Sequence, residues 1–145
     1  MNEAVIYLRV SSKGQEENGY SLDAQEKMCR EYAAKERLKV VKMWKGAESA
    51  WGKIERANFK EMIQYVKKHP EIKHIVFDIE DRMTRNYRDK LYIDELVFGG
   101  HSVTVHFART RSIYGADATP EKKFALNIGV AVSAKLSDDI SRKTT

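Results

Sequence analysis

Ser11 and a set of arginines are the residues in this chain best suited to chemistry on a phosphate. Ser11 follows an apolar run, in Tyr7-Leu8-Arg9-Val10-Ser11-Ser12. Arg9 lies two positions before it and shares its face if the strand continues, because side chains alternate along a strand. An arginine beside a strand-end serine can hold a phosphate through two parallel hydrogen bonds and lower the cost of an alkoxide. The run Asp78-Ile79-Glu80-Asp81-Arg82-Met83-Thr84-Arg85 sets Arg82 and Arg85 three apart, on one face of a helical turn. Asp81 is placed to orient either arginine or to exchange a proton. Arg56, at the start of a helical pattern, is a third candidate phosphate ligand. Each segment alone also has a plainer meaning: Ser11 as a turn residue, and 78–85 as a charged helix start with solvated ion pairs.

Only elements that bring these segments together give them joint meaning. Ala4 to Val10 is short, apolar and rich in β-branched residues, as a buried first strand requires. A polar loop from Ser11 to Tyr20 leads to a helix that starts near Ser21 or Asp23, either able to cap it, and runs to about Arg37. Leu38 to Trp44 forms a second strand, and Gly46 to Glu55 is a polar connection. From about Arg56, the residues Phe59, Met62, Ile63 and Val66 recur at helical spacing until His69-Pro70 stops them. Ile72 to Ile79 makes a third strand, Arg88 to Phe98 a helix ended by Gly99-Gly100, and Ser102 to Phe107 a fourth strand. A long helix begins near Pro120. Alternating strands and helices predict one α/β domain with helices on both faces of a sheet. Ligands gather at the carboxyl ends of the strands in such sheets, and parallel first and third strands set Ser11 and the Asp81 cluster at one edge.

Phe124, Ile128, Val132, Leu136 and Ile140 form one stripe of the last helix, while Leu126, Val130 and Ala131 lie on other faces. A helix apolar around so much of its girth needs cover on several sides, which predicts that it is partly an oligomer interface.

Composition narrows the partners. The 145 residues carry 26 basic and 21 acidic side chains, a formal charge of +5, which permits nucleic acid without requiring it. No apolar run reaches the roughly 18 residues of a membrane span, and the N-terminus lacks the pattern of a signal peptide. One cysteine, Cys29, rules out an internal disulfide framework and suits a reducing cytosol; its helix position predicts a packed side chain. The four histidines have no metal-ligand spacing such as HExxH. Two rivals stay open: a metal-dependent nuclease with Asp78, Glu80 and Asp81 around magnesium, and a non-catalytic DNA-binding or dimerisation module.

With these residues in order, the chain resembles the serine site-specific recombinases (resolvase/invertase family), and within them the large serine branch. Tyr7-Leu8-Arg9-Val10-Ser11-Ser12 matches the nucleophile motif, and Ser21-Leu22-Asp23-Ala24-Gln25, after Gly19-Tyr20, resembles the second signature. Arg56 stands where that branch has an arginine before a helix, and Asp81-Arg82-Met83-Thr84-Arg85 matches the Asp-Arg-x-x-Arg motif. The resemblance implies that Ser11 is the nucleophile, that Arg9, Arg56, Arg82 and Arg85 surround the scissile phosphate, and that Gln25 and Asp81 arrange or assist the serine. It implies double-stranded DNA as partner, no cofactor, and a homodimer that becomes a tetramer in the synaptic complex, with the helix at about 120–143 as interface. The implied fold is a three-layer α/β/α sandwich around a mixed, mostly parallel sheet of four or five strands, with a long C-terminal helix. Relatives continue into separate DNA-binding domains, so residues 1–145 are expected to be the catalytic domain, with target-site recognition elsewhere. Two departures stand out: Ile79-Glu80 replaces the usual Lys-Leu pair, setting an acid beside the cluster, and Ala134-Lys135-Leu136 stands where a glutamate is common.

Overall fold

The unbroken apolar run Ala4-Val5-Ile6-Tyr7-Leu8 is what a strand covered on both faces needs, and it lies inside the sheet. The computed structural model describes residues 2–10, 22–47, 53–80, 83 and 87–121. Along them run β1 (Asn2–Val10), α1 (Leu22–Lys35), β2 (Leu38–Ala47), α2 (Lys53–Lys68), β3 (Ile72–Phe77), α3 (Tyr87–Phe98), β4 (Thr104–Phe107) and β5 (Ser112–Tyr114). The sheet order is β2-β1-β3-β4-β5. β1 pairs in parallel with β2 and β3, and β3 with β4, while β5 returns antiparallel to β4. The chain is thus α/β, with the expected mixed, mostly parallel sheet.

The period of two divides the strands between two cores. Val5, Tyr7, Ile75, Phe77, Val105 and Phe107 pack with Phe59, Met62, Ile63 and Val66 of α2 and with Ile93, Leu96 and Val97 of α3. Ala4, Ile6, Leu8 and Val76 pack on the other side with Cys29, Tyr32 and Ala33 of α1. Cys29 is fully buried, as expected, and burial pushes its thiol up to about 12, so it stays protonated.

Several boundaries differ from the sequence-based ones, each for a local reason. α1 ends at Lys35 rather than Arg37, because Arg37 takes a left-handed φ of 57°. β2 continues through Gly46 to Ala47 because β1 supplies its pairing as far as Val10. α2 starts at Lys53, a turn before Arg56. β3 stops at Phe77, where Asp78 turns aside to bind another segment. β5 completes the sheet after a turn in which Arg111 has φ 58°. α3 ends as expected at Gly99-Gly100; Gly100 has φ 98°, and a Cβ on Gly99 would stand 2.4 Å from the Glu95 carbonyl oxygen. Residues 120 and 121 are helical, and the remainder of the expected last helix, with its interface stripe and the Ala134-Lys135-Leu136 departure, lies outside the described residues. The Ser21 cap position lies outside them too.

Candidate active site

Register decides which segments share an edge. Tyr7 is level with Phe77, and Phe77 with Phe107, so β1, β3 and β4 finish at the same end of the sheet. Ser11 follows β1 in sequence, and the Asp81 cluster follows β3. Ser11, Asp81, Arg82 and Arg85 themselves lie outside the described residues. Arg56 is in the first turns of α2, at the end of that helix nearest this edge, and only its backbone is described.

Two of the expected site residues have described side chains. Arg9 is 7% exposed near the end of β1, an unusual depth for a guanidinium. Gln25 is 1% exposed on the buried face of α1, and its carbonyl oxygen has no hydrogen-bond partner among the described residues. A buried amide oxygen left unpaired costs roughly 1–3 kcal/mol. The first turns of α1 are fixed to β2 by Lys45, which donates to Asp23 Oδ1 at 2.6 Å and Glu26 Oε1 at 3.0 Å. Arg30 and Lys45 together hold the Glu26 carboxyl below its usual range.

The structure adds Arg109, Thr110 and Ser112 at this edge, which no motif singles out. Asp78, fully buried at the end of β3, receives both Nε and an Nη of Arg109, which follows β4. The Arg109 amide also donates to the Asp78 carbonyl oxygen at 2.8 Å, and the Ala108 amide to that of Phe77 at 2.9 Å. Glu80 accepts from Thr110 Oγ1 at 2.9 Å and from Ser112 Oγ at 3.2 Å. Asp78 and Glu80 are therefore engaged by a guanidinium and two hydroxyls instead of facing one way along a continuing strand. The magnesium reading thus loses a shared strand face for Asp78 and Glu80, while Asp81 lies outside the described residues. Among the described residues, no group of three or more histidines, cysteines or acids is placed to hold a metal.

Two further buried polar groupings hold the frame. On the α1 face, Tyr32 Oη meets His106 Nδ1 at 2.8 Å, and His106 Nε2 meets His74 Nδ1 at 2.9 Å. Burial, with His74 adding to it, brings the His106 imidazole down to about 4, and burial also lowers His74. Held neutral at pH 7, the His106 ring offers one donor and one acceptor nitrogen to its two partners. On the other face, Lys90 Nζ donates to both oxygens of Asp94, at 2.8 and 2.9 Å, and to Tyr114 Oη at 3.1 Å, tying α3 to β5.

Comparison with known proteins agrees with this architecture. The family model described as "Resolvase, N terminal domain" matches residues 4–145. The chain belongs to the resolvase family, the serine recombinases that break and rejoin DNA. A resolvase family site-specific recombinase from Streptococcus pneumoniae superposes with a TM-score of 0.65 at 19% identity, covering 99% of this chain and 93% of that one. The N-terminal catalytic domain of TP901-1 integrase gives 0.63 at 21%, covering 98% of each chain. The C-terminal catalytic domain of ISC1926 TnpA, an IS607-like serine recombinase, gives 0.52 at 22%, covering 95% and 85%. No curated protein matches the chain. Among the described residues, no helix is long and apolar enough to cross a membrane.

Proposed function

We propose that this chain carries out site-specific recombination on double-stranded DNA through a covalent 5′-phosphoserine intermediate on Ser11. The Ser11 hydroxyl oxygen attacks the phosphorus, the bond to the 3′ oxygen breaks, and that oxygen leaves as a 3′ hydroxyl after taking a proton. The energy of the broken ester is kept in the serine ester, so the step reverses when a 3′ hydroxyl attacks back, without a nucleotide cofactor.

Phosphoryl transfer asks a protein chiefly for positioning and for charge on the non-bridging oxygens. Arg9, Arg56, Arg82 and Arg85 supply that charge, taking the part that metal ions have in other nucleases. An arginine in such a role is worth roughly 10³–10⁵ in rate in GTPases. Gln25 and Asp81 orient the serine or assist its deprotonation. Strand exchange requires a homodimer that pairs into a tetramer, with residues 120–143 at the interface, in the cytoplasm of a bacterium or of a phage's host.

One observation carries this reading: β1 and β3 are adjacent and parallel, with Tyr7 opposite Phe77, so their carboxyl ends lie at the same side of the sheet. The serine motif and the arginine motif therefore depart from one edge of the sheet. The depth of Arg9 and the unpaired oxygen of Gln25 add support. The test is incubation with a nicked suicide substrate in EDTA. A protein–DNA adduct resistant to denaturant is expected, absent in Ser11→Ala and from Arg82→Ala and Arg85→Ala. Cleavage abolished by EDTA, or an adduct unaffected by Ser11→Ala, rejects the proposal.

A further inference from the structure

The edge that carries the arginine motif has a brace of its own. The Glu80 carboxylate is held by two hydroxyls, Thr110 of the β4–β5 turn at 2.9 Å and Ser112 at the start of β5 at 3.2 Å. Those hydroxyls also contact each other at 3.2 Å. Two residues earlier, Asp78 is fully buried and gripped by Arg109 of the same turn, through two side-chain bonds and one backbone bond. On the far side, the Met83 amide donates to the Glu80 carbonyl oxygen at 3.1 Å, and the Met83 side chain is 2% exposed in the main core. Residues 78, 80 and 83 are thus each anchored, and Asp81 and Arg82 fall between the last two in sequence.

We infer that Arg109, Thr110 and Ser112 are positioning residues for the Asp81–Arg85 motif, acting through Asp78 and Glu80. The inference rests on the proposed serine chemistry, and its physical basis is economy of motion. An arginine that stabilises transferring phosphate oxygens must stand in place before the reaction, and a displacement of about 1 Å costs up to about 100-fold in rate. A carboxylate accepting from two hydroxyls has little rotational freedom left. A buried bidentate aspartate–arginine pair is a rigid joint in both distance and plane.

The test uses the 145-residue chain with Thr110→Val combined with Ser112→Ala. These substitutions remove both hydroxyls at positions that bury little apolar surface, and leave Asp78–Arg109 intact. Four quantities are read: single-turnover adduct formation at saturating suicide substrate, DNA affinity, melting temperature, and hydrogen exchange at the Met83 amide. Adduct formation slower by about 10- to 100-fold is expected, with affinity and melting temperature unchanged and faster exchange at Met83. Thr110→Ser with Ser112 retained restores the rate. An adduct rate within about twofold of wild type, or rate, affinity and melting temperature falling together, overturns the positioning role. If wild type itself forms no adduct, the serine chemistry has failed and the role falls with it. That outcome is distinct from a wild-type adduct that the double variant leaves untouched.

Discussion

Two ionic clusters flank the carboxyl edge of the sheet, and they differ mainly in how much water reaches them. On the β2 side, Lys45 joins Asp23 and Glu26; the Lys45 side chain is 31% exposed and that of Asp23 is 89% exposed. On the β3–β4 side, Arg109 and Asp78 form a pair whose side chains are 16% and 0% exposed. Each fixes a segment that bears an expected site residue: α1 with Gln25 in the first case, the approach to Asp81 in the second. Charges at the surface are screened and lose side-chain entropy on pairing, so they hold position weakly. A buried charge cannot be left alone, so its partner is obligatory. The expectation is an adjustable serine side of the edge and a fixed arginine side.

The largest effect that would test this contrast comes from Arg109→Ala. It strands a buried carboxylate, so unfolding in urea should show a loss of about 3–5 kcal/mol. A loss below about 1 kcal/mol would mean that the pair is no more obligatory than a surface one.

His106 sharpens the point with a buried group that has no counter-charge. Its folded value, near 4, lies below the ordinary 6.5, so the unfolded chain binds the proton first as pH falls. Its contribution to stability is complete above pH 6.5, declines between 6.5 and about 4, and is lost below that, a change of roughly 2–3 kcal/mol. His74 adds to the slope in the same direction. Unfolding measured between pH 7 and 4 should show this slope, reduced in His106→Leu; an equal slope in the variant would assign it to other groups.

The smallest effect is expected from Lys45→Ala. Its loss should be at most about 1 kcal/mol and should shrink further in concentrated salt. A loss above about 2 kcal/mol would erase the distinction between the two clusters.

Sequence reasoning was strongest where periodicity is long and apolar. β1, α2, β3 and α3 were legible because Ala4 to Leu8, Phe59 to Val66, Ile75 to Phe77 and the glycine stop after Phe98 are local patterns. β5 escaped it. Ser112-Ile113-Tyr114 is three residues long, leaves Ile113 45% exposed, and follows a turn that uses Arg111 in place of the glycine or asparagine that signals a hairpin. The Asp78–Arg109 pair and the Tyr32–His106–His74 chain were equally hidden, because their members lie on separate elements and only folding brings them together. Histidine spacing in the sequence speaks only to metal ligation, while in the fold the ring nitrogens of His74 and His106 bond each other. Of the proposed site residues, Ser11, Arg56, Asp81, Arg82 and Arg85 are legible in the sequence as candidates, and Gln25 only through the resemblance to the family signature. The depth of Gln25 and its unpaired oxygen needed three dimensions.

The most direct test of the account is to trap the chain on a nicked suicide substrate, digest the product and identify the residue that carries the phosphorus. A phosphodiester on Ser11 to the 5′ end of the cleaved strand is the predicted result. A link to any other side chain, or cleaved DNA with free ends and unmodified protein, would contradict it.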